Sequence, residues 1–273
     1  MNALIHTQYS RLRIFFRRPV RSIVQLFFVA IFIGLFIFII DPTEIHEICP
    51  WAIVESPILA TIVSSNLFWI SGIIIGLVGI IGTLFYPRPF CGWVCPLGTL
   101  FDFLGDLGRK LRIVAKSVPH WLNEKMRYFS FGVLIIVVLG TIVSKRVICI
   151  YGCPIYWLCA MWKLSIPLLT AIFVLFVLLL SFRVKRVFCR YICIYGALTS
   201  LFSAFARKRL YLNLEVCDNC TLCRVCPMGI DVIYGLIVGS RHCISCGECV
   251  YSCVKSAFSW EKVPLEIDRR ENG

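Results

Sequence analysis

Apolar residues in this chain are grouped into long runs instead of alternating with polar ones. Four of these runs are uncharged and approach the roughly 20 residues that cross the hydrocarbon core of a bilayer. The pattern therefore predicts four membrane-spanning helices. Their approximate bounds are Ile23–Ile40, Leu67–Phe85, Tyr128–Val143 and Leu164–Phe182. The third run is short, so its helix must extend into the flanking residues.

The composition agrees with this prediction. Of the 273 residues, 59% are hydrophobic and the mean hydropathy is +0.84, whereas soluble domains are roughly 45–50% apolar. We therefore expect an integral membrane protein. The first apolar run is too long for the core of a signal peptide and no small-residue cleavage pattern follows it, so we expect it to remain as an anchor.

Positive charge predicts the orientation of the helices. Lys and Arg are concentrated before the first helix, after the second and after the fourth, and they are sparse in the other two loops. Because cytoplasmic loops retain positive charge, both termini are expected in the cytoplasm, beneath a bacterial inner membrane. The net charge of +13 then reflects topology and attraction to anionic lipid. No nucleic-acid partner is expected.

The sixteen cysteines fall into four sets of four. The distal set and the junction set lie in the C-terminal tail, the inner set lies at the cytoplasmic ends of the second and fourth helices, and the outer set lies in the opposite loops. The distal set is Cys217, Cys220, Cys223 and Cys253; the junction set is Cys226, Cys243, Cys246 and Cys249; the inner set is Cys91, Cys95, Cys189 and Cys193; the outer set is Cys49, Cys149, Cys153 and Cys159.

The tail carries the most specific pattern. Two C-x2-C-x2-C triplets, in "CDNCTLCRVCP" and "CISCGECVYSC", are each followed closely by a fourth cysteine. This is the bacterial ferredoxin pattern, in which the fourth cysteine of one run ligates the cluster held by the other run. We therefore predict two [4Fe–4S] clusters, one held by the distal set and one by the junction set.

Two details depart from that pattern. The first run closes with two intervening residues instead of three, and Val254 replaces the proline expected after Cys253. Zinc is the alternative metal for these cysteines, although zinc sites favour two C-x2-C pairs with a longer spacer. Disulfides are the other alternative, and a reducing cytoplasm argues against them.

The membrane part contains a repeat. "RPFCGWVCPLGTL" at 88–100, the first copy, aligns without gaps with "RVFCRYICIYGAL" at 186–198, the second copy, at an offset of 98. Each copy follows a helix pair, so we expect a duplicated hairpin that forms a pseudo-twofold four-helix bundle. The segments Pro89–Gly108 and Val187–Ala206 are predicted to be helices along the inner membrane surface.

Pseudo-symmetry would bring the inner set together at the axis. There it could ligate a further iron–sulfur cluster or another metal, and two cysteines at i and i+4 share one helix face. The alternative is that these are small apolar residues in a helix turn. For the outer set, a disulfide such as Cys49–Cys153 and a metal site both remain open.

The chain thus divides into three parts. Residues 1–22 form a basic cytoplasmic segment, 23–206 an all-α membrane domain of four helices, and 207–273 a small α+β ferredoxin-like domain with two clusters.

Together these features resemble the NapH/MauN-type ferredoxin membrane proteins. "FCGWVCPLG" is a specific marker of that group, and the resemblance extends over nearly the whole chain. Two departures are Ile194, where the family usually has proline, and the outer set, which is not part of the NapH pattern. The resemblance implies an electron-transfer subunit of a quinol dehydrogenase, which connects the quinone pool with other iron–sulfur or haem subunits.

A quinol site needs a group that accepts protons near the bilayer edge. His46 and Glu47 in the first outer loop are the candidates, with Trp51 as an aromatic residue at the interface. The alternative is an ordinary solvated loop, and His120 on the inner side is a weaker candidate. The chain has no nucleotide-binding glycine motif and no C-x-x-C-H haem site, so partners must complete the electron path.

Two other functions remain open. In one, the protein is a membrane metal reductase that delivers cytoplasmic electrons to copper at the inner set. In the other, it is a non-catalytic anchor and docking subunit whose clusters mainly stabilise the tail.

Overall fold

The protein is mostly helical, with one small sheet. The computed structural model describes residues 19–38, 51, 53–55, 68–113, 118–145, 148, 153–154, 168–218, 220, 225–230, 241–255 and 257–262. The helices within these ranges are α1 (Pro19–Phe38), α2 (Phe68–Phe85), α3 (Pro89–Trp93), α4 (Pro96–Lys110), α5 (His120–Ser144), α6 (Leu168–Arg183), α7 (Val187–Tyr191), α8 (Ile194–Ser203) and α9 (Glu248–Ser252). The strands are β1 (Lys208–Leu212) and β2 (Phe258–Lys262).

Helix α5 has the features of a membrane span. It has 25 residues, so the third apolar run does extend into its flank, as predicted. Among the helices in the described ranges, it alone is both long and apolar enough to cross a bilayer, over Trp121–Ser144 with a mean hydropathy of 2.1. This composition indicates association with a membrane.

Helices α1, α2 and α6 contain shorter apolar stretches, namely Val20–Gly34, Gly72–Phe85 and Ala171–Arg183. Like α5, they expose large apolar side chains, for example Ile23 (64%), Val78 (63%), Ile136 (68%) and Leu179 (58%). Water would disfavour such surfaces, so another apolar medium or partner must cover them.

Each predicted inner helix is interrupted at its second cysteine. Cys95 and Cys193 are extended N-cap residues, with ψ of 118° and 114°. In the first copy the reason is Pro96, because proline lacks an N–H and disfavours the helical conformation in the residue before it. The prediction of one continuous helix with both cysteines on one face is therefore wrong in both copies.

The second copy has the same break without a proline. There the Gly196 N–H donates to the Cys193 sulfur at 3.3 Å, which caps α8. Helix α8 is largely enclosed by protein, since seven of its ten residues are buried. Its exposed side chains, Leu201 and Phe202, are apolar and adjacent, and the position of this helix along a membrane surface stays a prediction.

The two copies exchange packing partners. Helix α4 of the first copy packs on α6 of the second half, and α8 of the second copy packs on α2 of the first half. A residue-level exchange accompanies it, because Arg186 reaches Gly98 and Arg88 reaches Gly196. The duplication predicted from the repeat is thus a pseudo-symmetric interlock of the two halves.

Glycine allows the close approach of α4 to α6. A Cβ at Gly108 would overlap the main chain of Phe182, and a Cβ at Gly105 would overlap the side chain of Lys185. Main-chain atoms cannot move aside independently, so glycine is required more strictly at position 108 than at position 105.

The tail contains a two-stranded antiparallel sheet and a short helix, consistent with the predicted α+β domain. Strands β1 and β2 pair with Lys208 opposite Lys262 and Leu210 opposite Trp260. Leu210 and Leu212 are buried beneath the tail cysteines. The sheet contacts the end of α2, because Trp260 meets the Tyr86 ring edge to face at 5.5 Å and Lys208 Nζ donates to the Tyr86 hydroxyl at 3.1 Å.

Part of the predicted outer loops lies inside the protein. The Trp51 ring is 6% exposed and stacks on Phe188, with ring centroids 5.7 Å apart and an interplanar angle of 8°. Cys153 is also buried, in the same core. The prediction of Trp51 as an interface residue is wrong, because this ring packs against the residue adjacent to Cys189.

The close contact at Gly108 leads to a test of the helix exchange. Gly108→Ala forces α4 away from α6, and overpacking of this kind typically costs about 1–3 kcal/mol. We expect a lower midpoint of thermal unfolding for the detergent-solubilised protein, followed by circular dichroism. The matched control is Gly132→Ala in α5, where nothing lies within 4 Å of the new Cβ and helix propensity should improve. Equal midpoints in the two variants would contradict the exchange.

Candidate functional site

The junction set lines one cavity in the tail. All four of its cysteines border the cavity, together with apolar groups that include Ile230, Ile244 and Trp260. The Ser245 N–H donates to the Cys243 sulfur at 3.4 Å, and such N–H bonds to sulfur are a usual feature of iron–sulfur sites. The donor type, the number of donors and their apolar surroundings all fit a [4Fe–4S] cluster. We call this site the junction cavity.

Cys226 comes from the first tail run, whereas the other three cysteines of the cavity come from the second. The structure thus brings together the four residues that the crossing pattern predicts. Among the residues that the structure describes, no three His, Cys, Asp or Glu side chains are close enough to hold a single metal ion. A four-iron cluster does not need such close thiols, because each thiolate binds a different iron.

The distal set is nearer to solvent. Cys217 and Cys253 pack partly buried against the same small core beneath β1, and Cys220 is exposed. The Ala257 N–H donates to the Cys253 sulfur at 3.4 Å. Cys223 lies outside the described residues. A cluster at this set would be the more accessible of the two in the tail.

The inner set lies in one apolar core. Cys91 is buried and Cys95, Cys189 and Cys193 are partly buried, in a core that also contains Cys246 of the junction cavity. Burial raises the pKa of Cys95 to about 11 and that of Cys189 to about 12. Because a metal ligand must be a thiolate, binding here would release protons.

The core between the inner set and the outer loops is aromatic. Phe188, next to Cys189, stacks on Trp51 on one side and on Phe101 on the other, the latter with centroids 5.9 Å apart. Phe90, next to Cys91, meets Tyr195 edge to face at 5.6 Å. These rings exclude water from the inner set.

Two buried arginines lie beside the cysteine motifs of the inner set. Arg88 and Arg186 precede the two cysteine motifs, are 2% and 0% exposed, and each has a positive φ near 50°. Each reaches across to the glycine of the other copy. Arg186 also donates to the Cys91 carbonyl at 2.6 Å.

A buried ionic network centres on Asp102. Arg186 donates to both carboxylate oxygens, at 2.7 and 2.6 Å, and Arg21 of α1 donates to one of them at 2.6 Å. Arg21 also donates to Glu248 at 2.6 Å and to the Gly92 carbonyl at 3.0 Å. Burial alone would raise the pKa of Asp102, but Arg186 and Arg21 hold that pKa well below its usual value.

The first copy supports the loop that carries Cys243 and Cys246. Trp93 Nε1 donates to the Ser245 carbonyl at 2.9 Å, and Ser245 Oγ donates to the Pro87 carbonyl at 2.7 Å. A Cβ at Gly92 would overlap the Ile244 carbonyl. The tail loop therefore lies directly on the residues that flank Cys91.

The second copy supports the loop that follows Cys226. Arg190 donates twice to the Pro227 carbonyl, at 2.9 and 2.5 Å. Arg127 and Asn123 of α5 donate to the carbonyls of Met228 and Gly229, at 2.9 and 2.8 Å. Arg190 is the repeat equivalent of Gly92, so each copy uses the same position to hold one half of the tail.

Several predicted site residues lie outside the described residues. They are His46, Glu47, Cys49, Cys149, Cys159 and Cys223. The quinol site and the disulfide of the outer set therefore remain predictions.

Sequence reasoning missed the buried ionic residues. The topology argument counts Arg21, Arg88 and Arg186 only as basic residues that flank the helices, and it gives Asp102 no role. The available signal was the identity of Arg88 with Arg186 and of Gly98 with Gly196 in the repeat, since an arginine and a glycine kept in both copies suggest a paired contact.

Comparison with known proteins agrees with this geometry. A family described as "4Fe-4S binding domain" matches residues 68–113 and 166–213. These two segments contain the inner set and both copies of the repeat. No solved structure matches the chain significantly.

Several curated relatives cover the same region. An uncharacterised protein of Methanocaldococcus jannaschii is 37% identical over 65% of this chain and 74% of its own length. The putative electron transport protein YccM of Escherichia coli is 30% identical over 64% of this chain and 51% of its own length. The ferredoxin-type protein NapH of Haemophilus influenzae is 31% identical, over 65% and 64%.

Asp102→Asn tests the buried network. The amide retains the shape of the carboxylate but leaves the buried Arg186 guanidinium without its counter-charge and Arg21 with Glu248 alone, and an unpaired buried charge typically costs about 3–5 kcal/mol. We expect a large loss of thermal stability at pH 7. Because the folded-state pKa is depressed, the wild-type advantage should be constant above about pH 5 and shrink below about pH 4, where the carboxyl of the unfolded chain is protonated.

Asp106→Asn is the control for that test. Asp106 is 39% exposed and pairs with Arg109 and Lys185 at the protein surface, where ion pairs contribute little. A loss in this variant as large as that in Asp102→Asn would contradict the special role of the buried network.

Gly92→Ala tests the contact between the tail and the first copy. The new methyl group would displace the Ile244 carbonyl, so we expect the tail to be cleaved about tenfold faster in limited proteolysis, equivalent to about 1.4 kcal/mol. Gly34→Ala in α1, where nothing lies within 4 Å, should be cleaved at the wild-type rate. Unchanged cleavage of Gly92→Ala would show that the tail does not rest on this segment.

Proposed function

The chain belongs to the NapH-type ferredoxin proteins, which have an iron–sulfur electron-transfer role, and we propose that it carries electrons between the quinol pool and partner redox subunits. The observation that supports this most is the shared core of the inner set and the junction cavity. Cys246 packs in the same apolar core as the four inner cysteines. A cluster in the tail would therefore lie immediately beside the membrane domain.

We propose three centres along this path. The distal set and the junction set hold one [4Fe–4S] cluster each, and the inner set holds a further iron–sulfur centre. The family match supports the third, because it spans the two inner motifs and not the tail. Such clusters, when bound, accept and release single electrons.

The surrounding residues keep the path dry and the tail in place. Phe188 and Tyr195 exclude water from the inner set, while Arg190 and Trp93 fix the tail loops by hydrogen bonds. Asp102 balances the charge of Arg186 between the two sites. These are positioning roles, which would hold the tail in a fixed place relative to the inner set.

For the membrane domain we propose four spanning helices with both termini in the cytoplasm. The exposed apolar faces of α1, α2, α5 and α6 support this, because lipid would cover all four alike. His46 and Glu47 are the proposed proton acceptors from quinol at the outer side. The stack of Trp51 on Phe188 supports a path to that side, since the two residues join the first outer loop to the inner set.

The test is anaerobic reoxidation of the detergent-purified protein. The clusters are reduced with dithionite, the excess is removed, a soluble menaquinone analogue is added, and the return of the iron–sulfur absorbance is followed. We expect rapid reoxidation that is lost in His46→Ala/Glu47→Ala and retained in His120→Ala. In Cys91→Ser we expect lower iron content together with slower reoxidation.

Other outcomes would contradict the proposal in different ways. Reoxidation by Cu(II) and not by quinone would favour the metal reductase. Failure with both oxidants would mean that the quinone site belongs to a partner subunit. Wild-type iron content in Cys91→Ser would show that the inner set holds no iron–sulfur centre on this path.

A further inference from the structure

The two halves of the molecule surround their buried arginines with different charged groups. In the repeat, Arg88 corresponds to Arg186 and Gly98 corresponds to Gly196. Arg186 packs on Gly98, and Arg88 packs on Gly196, where its Nη2 would lie 2.5 Å from an added Cβ. The side chains thus occupy equivalent places. The two arginines differ, however, in their ion-pair partners.

Arg186 is neutralised by a carboxylate, whereas Arg88 has no such partner in the part of the chain that the structure describes. Asp102 lies one helical turn after Gly98, on the same face of α4, and it forms a two-bonded ion pair with Arg186. The position equivalent to Asp102 at the offset of 98 is Ser200. Ser200 is buried and donates to the Ala197 carbonyl at 2.6 Å. No carboxylate within the described ranges pairs with Arg88, and its Nε has no hydrogen-bond acceptor there.

A buried cation without a counter-charge is costly in an apolar environment. Arg88 is 2% exposed, so water does not solvate it. Retention of such a group requires an anionic neighbour, and the described side chains around it supply thiols instead of carboxylates.

The cluster proposed for the junction cavity would be an anionic group next to this segment. Ser245 Oγ donates to the carbonyl of Pro87, the residue before Arg88, which holds the loop from Cys243 to Cys246 against this segment. Arg88 is also one of the cations that act electrostatically on Cys243, which lines this cavity. The guanidinium is therefore within electrostatic reach of a cavity thiol.

We propose that Arg88 raises the reduction potential of the iron–sulfur cluster in the junction cavity, because it is the one of the two equivalent arginines that pairs with no carboxylate among the described residues. The inference rests on the cluster assignment in the proposed function. Reduction adds one electron to the cluster, so the cluster and its four thiolates pass from two negative charges to three. An adjacent fixed cation stabilises the more negative state.

The test is a dithionite titration of the full-length protein, followed by electron paramagnetic resonance. In Arg88→Gln we expect the reduced-to-oxidised ratio of this cluster at a fixed potential to fall about tenfold, which is about 59 mV for a one-electron couple. Ser200→Asp should produce a shift in the same direction, because it gives Arg88 the partner that Arg186 already has. Arg88→Lys, which retains the charge, should stay close to wild type.

The matched control is Arg109→Gln. Arg109 is a 40% exposed arginine in the last turn of α4, so its charge is screened by solvent and its loss should not move the potential. If Arg88→Gln prevents folding, Ser200→Asp still decides the question with the arginine in place. Intact clusters with a wild-type potential in Ser200→Asp and in any folded Arg88→Gln protein would overturn this inference alone. Absence of cluster signals and iron from the wild-type protein would instead overturn the proposed function, and this inference with it.

Discussion

The ion pairs of Asp102 join four separate parts of the chain. Arg21 brings in the first helix, Arg186 brings in the second copy, and Glu248 brings in the tail through Arg21. Charged groups this deeply buried are tolerated only when each has a partner. The network therefore selects one arrangement of these parts, and the positions of the inner set and the junction cavity depend on it.

The location of this network also explains why the tail and the membrane domain form one unit. Most interdomain contacts would be expected between side chains on two surfaces. Here the tail offers main-chain carbonyls at Ser245, Pro227 and Met228, and the repeat and α5 supply the donors. Carbonyls are present whatever the side chain, so the fit depends on the course of the tail backbone. That course is in turn set by the spacing of the cysteines.

The sequence predicted the large features well. Long apolar runs located the helices, because a bilayer demands length and hydrophobicity. The tail cysteines predicted the crossing set that lines the junction cavity, because local spacing determines which corners of a cluster one loop can reach. The gapless repeat predicted the duplication.

The sequence patterns could not predict contacts between residues that are far apart in the chain. The break at Cys193 has no proline to mark it, and its cap depends on the Gly196 N–H. The burial of Trp51 depends on Phe188, which is more than a hundred residues away in sequence. The role of Asp102 depends on arginines from two other segments. No local periodicity records such partners.

The exchange of arginines between the two copies has a further consequence. Each half completes the interior of the other, as the subunits of a dimer do, so neither half is a self-sufficient folding unit. Two identical subunits would have to carry the same residue at the place of Asp102 and Ser200. Once both halves belong to a single polypeptide, the two positions can change independently, and a symmetric framework can acquire a preferred direction.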